Sequence, residues 1–116
     1  MAQLARSGSR PAAVGTVTLD EVIAELRTLG TSDRLLGLYE LGIDACANRE
    51  AAQVSTVICE LLGSLDYEYV DIAEGFRRVY EFCLHEASQG QLDSVTFILE
   101  DLRDTLMRAV SDPAQR

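Results

Sequence analysis

Apolar positions recur along the chain with helical spacing, and five segments carry the pattern. Leu19, Val22, Ile23, Leu26 and Leu29 form the first stripe, since residues three and four apart share a helix face. Thr18 precedes it and Glu21 follows three residues later, which predicts a capping box; Gly30 predicts the stop. A second helix is expected after Thr31 or Ser32, with Leu35, Leu36, Leu38, Tyr39, Ile43 and Cys46 as its apolar set. Gly37 and Gly42 weaken that helix by up to about 1 kcal/mol each relative to alanine. A helix that keeps two glycines is expected to pack closely against a neighbour. Asn48 interrupts the pattern and predicts the cap of a third helix, running roughly from Glu50 to Leu65 over Val54, Val57, Ile58, Leu61, Leu62 and Leu65. The fourth is predicted from about Ile72 to Ser88, opened by Asp71 and Glu74 as an acidic capping pair. Its expected buried face is Ile72, Phe76, Val79, Tyr80, Cys83, Leu84 and Ala87, and Gly90 ends it. The fifth spans about Leu92 to Val110 over Val95, Ile98, Leu99, Leu102, Leu106 and Val110, with Pro113 beyond.

No window alternates convincingly with period two. Short loops make sequential helices antiparallel neighbours. The predicted fold is therefore all-α: an up-and-down antiparallel four-helix bundle with an additional short N-terminal helix, in a single domain over residues 18–111. Residues 1–17, with Ser7, Gly8, Ser9, Pro11 and Gly15 clustered, read as a flexible N-terminal tail, and 112–116 as a C-terminal tail.

The chain of 116 residues is 47% hydrophobic and 25% charged, enough for one core. No apolar run approaches the ~18 residues of a membrane span. All ten basic residues are arginine. Residues 17–116 set eight of them against nineteen acids, a balance of −11. A nucleic-acid binder needs a basic face to replace phosphate counterions, so nucleic acid and anionic membrane surfaces are expected to be poor partners. Cys46, Cys59 and Cys83 lie within apolar helical patterns, odd in number and without a CxxC, and are expected to be buried free thiols. The N-terminus has no apolar signal core, which favours the cytoplasm.

Chemistry is sparse. His85 is the only histidine, near the end of the fourth helix. Its spacing to Glu81 and Cys83 fits neither a di-iron ExxH pair nor a zinc site, so no metal, cofactor or catalytic residue is expected. Phe82, Leu41 and Leu62 fall off the main stripes, and Tyr67 flanks the break before the fourth helix. Off-stripe apolar residues suggest a second apolar surface, of the kind that binds another helix or makes a homodimer.

The segment Glu60–Glu68, ELLGSLDYE, resembles the "ELxxSLDxE" stretch of the flagellin-specific export chaperones, the FliS family. Ile72-Ala73 and Val79-Tyr80-Glu81-Phe82 follow in the order of its "LYxY" helix, and Val95–Arg103 is similar to its "LLxxLR" helix. Leu38-Tyr39-Glu40 lies where the family has "LYDGA". Asp33 stands where the family usually has proline, Leu106 where a tryptophan is common, and the hairpin from Tyr39 to Ser64 is shorter. The resemblance implies a cytosolic chaperone without catalysis. It would bind the disordered C-terminal segment of flagellin in apolar grooves, block premature polymerisation and present the client to the export gate. It also implies that an N-terminal segment, residues 1–16 or the Leu19–Leu29 helix, covers the groove when no client is bound. The expected partner contacts are Leu38, Tyr39, Leu41, Leu62, Tyr67, Phe82 and Phe97. The competing reading is a non-catalytic helical adaptor or self-associating bundle unrelated to flagella.

Overall fold

The computed structural model describes residues 18–111; the two expected tails lie outside them. The described residues form five helices and no strand: α1 (Leu19–Leu26), α2 (Thr31–Ala47), α3 (Ala51–Gly63), α4 (Val70–Ser88) and α5 (Leu92–Ser111). None is long and apolar enough to cross a membrane.

The ends show which local signals were decisive. At α1 the capping box forms: the Thr18 hydroxyl accepts from the Glu21 N–H at 3.1 Å, and Glu21 Oε1 accepts from the Thr18 N–H at 2.9 Å. The helix stops at Leu26, before Leu29, which is left exposed. Asn48 does not cap α3 but ends α2, and Glu50 precedes α3 without a side-chain cap. The reversal is made by Arg49 at φ 58°: its N–H donates to the Cys46 carbonyl at 3.0 Å and that of Glu50 to Ala45 at 2.9 Å. Gly90 (φ 75°) does the same after α4, with bonds from Gly90 to Ala87 and from Gln91 to Glu86. Both are Schellman stops, and only the second carries the glycine that such a stop favours. The Asp71–Glu74 capping pair is not formed. An Asp66 carboxylate bond to the Glu68 N–H folds the preceding loop, α4 starts two residues early at Val70, and Glu74 instead holds Arg77 at 2.6 Å.

Helix α2 packs against α1, α3 and α5, while α4 packs against α3 and α5. Leu38, Val54, Val57, Ile58, Leu61, Val95 and Leu99 are fully buried between them, each contributing about 1.5–3 kcal/mol of apolar burial. The α2 glycines mark close approaches. A Cβ at Gly37 would stand 2.5 Å from Leu26 Cδ2 of α1, and one at Gly42 would stand 2.7 Å from Leu99 Cδ1 of α5. Arg27 forks onto Glu60 through two bonds of 2.8 and 2.7 Å, tying the end of α1 to α3. That contact holds the Glu60 carboxyl below the ordinary carboxylate range. Within the core, the Tyr39 and Tyr80 hydroxyls bond each other at 2.8 Å, so neither phenol is orphaned. Cys46 and Cys83 are buried free thiols, and burial pushes Cys83 up to about 11. Cys59 is free and exposed, against expectation, because it points away from the Val57–Ile58–Leu61 stripe.

Candidate partner-binding groove

Helix α4 is apolar over more of its circumference than the core can cover. Ala73, Tyr80, Cys83 and Ala87 turn inward. Ile72, expected on that buried face, is 63% exposed, and Phe76 and Val79 are half-buried beside it. Phe82 is 49% exposed. Helix α5 behaves likewise: Leu92, Val95 and Leu99 are buried, whereas Phe97 is 74% exposed. The outer flanks of the two helices face each other across a groove of about 390 Å³ lined by Val79, Phe82, Phe97, Ile98 and Leu102. Arg78 from α4 and Asp101 from α5 complete its lining.

The groove continues. Leu102 also lines a hollow of about 170 Å³ formed with Leu35, Tyr39, Phe76 and Leu106. Phe76 and Leu35 in turn line one of about 210 Å³ at the end of the helices, walled by Leu65, Asp66, Tyr69 and Ile72. Shared side chains thus link the hollows into one apolar trough, which runs between α4 and α5 and then, past Leu35, between α2 and the start of α4. Arg77 is withdrawn from it, held by Glu74 and Glu81 at 2.6 and 2.8 Å, and its hydrogen bond keeps the Glu74 carboxyl below its usual range. Arg78 and Asp101 form no ion pair among the described residues.

Of the residues expected to meet a partner, the structure brings Phe82 and Phe97 together in this groove. Tyr67 is exposed in the α3–α4 loop, whose neighbours Asp66 and Tyr69 line the end hollow. Leu41 and Leu62 are half-buried and pack against the core. Leu38 must be corrected: it is fully buried among apolar neighbours; Tyr39 is buried too, on its bond to Tyr80, and reaches the trough only as part of the floor of the hollow it shares with Leu35 and Leu106. Sequence reasoning missed Ile72, Phe76, Val79, Ile98 and Leu102 as groove residues. Their signal was there, in α4 and α5 stripes too wide to fit beneath the neighbouring helices. No residue of α1 lines the trough, so that helix does not cover it.

His85 is exposed in the last turn of α4, where its carbonyl accepts from the Ser88 hydroxyl. Among the described residues no group of three or more His, Cys, Asp and Glu side chains is placed to hold a metal. Comparisons with protein-family models, curated proteins and solved structures yield no match to the chain.

Proposed function

We propose that this chain is a non-catalytic binding protein that takes an amphipathic helix of a client into the trough along α4 and α5. The observation that carries the reading is that trough, in which apolar side chains of two neighbouring helices remain uncovered in a continuous strip. An added helix buries such a strip by presenting its own apolar face. The finer fold consistent with this is an up-and-down antiparallel four-helix bundle of α2 to α5 with α1 added on α2. The contacts of each helix with its sequence neighbours, and of α5 with α2, support it.

The resemblance to flagellin-specific export chaperones supplies the client: the C-terminal segment of flagellin. Two segments that carry it, Val79–Phe82 and Val95–Arg103, contribute Val79, Phe82, Phe97, Ile98 and Leu102 to the groove. A disordered segment that folds on binding gives up about 2–5 kcal/mol in ordering. Apolar burial at roughly 25 cal/mol per Å² recovers that over a long groove. A client held in this way has its own apolar face covered and is not free to polymerise before it reaches the export gate. The reading places the protein in the cytoplasm and asks for no cofactor.

The test is calorimetric titration of the full chain with the flagellin C-terminal segment of the same organism. Saturable one-to-one binding, a gain of helix and a negative heat-capacity change are expected, and Phe82→Ala should weaken it. Absence of binding overturns the client and leaves a helical adaptor.

A further inference from the structure

We infer that the Phe82–Phe97 groove is also the face on which two copies of this chain meet, in a dimer with two-fold symmetry. Charge decides among the available faces. The chain from residue 17 onward balances to −11, so two copies repel each other across most approaches. The end hollow of the trough presents acid alone, Asp66, and so does a shallow hollow along α4 formed by Asp71, Ile72, Gly75, Phe76 and Val79. This groove carries one cation and one anion, Arg78 on the α4 side and Asp101 on the α5 side, and neither is paired within the described residues. It is locally neutral on an acidic molecule.

Its charges are also self-complementary. In a two-fold interface, if residue i of one copy meets j of the other, then j meets i. A two-fold arrangement that sets Arg78 of one copy against Asp101 of the partner subunit makes that ion pair twice. Between the two ion pairs, each Phe97, nearly free of contacts in the monomer, gains an apolar cleft floored by Val79 and Leu102. Desolvated aromatic anchors ringed by polar pairs are the usual energetic centre of an interface. The dimer occupies the same groove as the proposed client, so the two exclude each other. Its existence does not depend on who the client is.

Sedimentation velocity of the full chain over a wide concentration range tests this. A monomer–dimer equilibrium is expected, and Phe97→Asp should raise its dissociation constant at least about tenfold. Helix content and melting temperature should not change, since Phe97 supports nothing in the monomer. Arg78→Asp and Asp101→Arg should each weaken the dimer. An equimolar mixture of these two variants should associate more tightly than either alone, because the exchanged charges pair again at both positions across the axis. A chain monomeric at every concentration overturns the inference. So does a dimer indifferent to Phe97→Asp, or a mixture no tighter than its components. A chain that dimerises here yet ignores the flagellin segment keeps the dimer and loses the client. One that binds the segment but never dimerises does the reverse.

Discussion

The two flanks of α5 meet their neighbours in opposite ways. Toward α2, Leu99 is fully buried over Gly42, with no space for even a β-carbon between the helices. Toward α4, Phe97, two residues earlier, projects into an open groove. The difference lies in what each partner helix offers. Glycine lets two backbones approach until side chains interlock, whereas Phe76 and Phe82 on α4 and Phe97 on α5 are too bulky for the same closure. One flank therefore gives stability and the other remains available for recognition.

That contrast can be broken most severely at its closed side. Leu99→Ala should leave a cavity under α2 and lower unfolding free energy by about 3 kcal/mol, read by urea melts. Alkali attacks the interior next. The Cys83 thiol is held near 11 in the fold, so the unfolded chain loses its proton first. Stability should be intact below about pH 8.5 and fall by about 2 kcal/mol as pH rises toward 11. Burial raises the Tyr39 and Tyr80 hydroxyls too, which extends the fall to higher pH. Burial raises the Cys46 thiol as well, so Cys83→Ala should shrink the first part of that profile without abolishing it, in chemical melts taken at a series of pH values. Gly42→Ala should cost about 1 kcal/mol net, overpacking against Leu99 outweighing the gain in helix propensity. Gly75→Ala on the open side of α4, where nothing lies within 4 Å of the added carbon, should instead gain up to about 1 kcal/mol. Phe97→Ala should move stability by less than about 0.5 kcal/mol in the same melts while weakening association. If Phe97→Ala proved as costly as Leu99→Ala, the two flanks would not differ.

The helices and their order were legible in the sequence because periodicity is a local property. So were the α1 capping box, the close approaches at Gly37 and Gly42, and the stop at Gly90. The α2 stop was not, because Arg49 adopts a glycine-like backbone that its identity does not announce. The α4 start differs because the loop, folded by the Glu68 N–H donating to the Asp66 carboxylate, hands over to the helix at Val70, which leaves Asp71 inside the first turn rather than at its cap. For the groove, the stripe says which side of a helix is apolar, and only the packed distance between helices says how much of it is covered. Phe82 lies far enough off the stripe to point to the surface, whereas Ile72 and Val79 sit on its margin and pass for core. Tyr39 was the opposite error: a phenol that suits a half-wet site found its hydrogen bond inside, at Tyr80.

That single hydroxyl pair joins α2 to α4; the other fully buried side chains among the described residues are hydrocarbon or thiol. Leucines and valines tolerate sliding: shifted by one turn, about 5.4 Å, a greasy helix still finds grease opposite. Two phenols do not. A lengthwise slip of that size would strand both hydroxyls in a dry environment at roughly 1–3 kcal/mol each. The Tyr39–Tyr80 bond thus acts as an alignment pin, choosing one axial setting from several that hydrophobicity alone would accept. Because α4 carries half of the open groove, the pin also sets where along the molecule Val79 and Phe82 stand relative to Phe97 and Leu102.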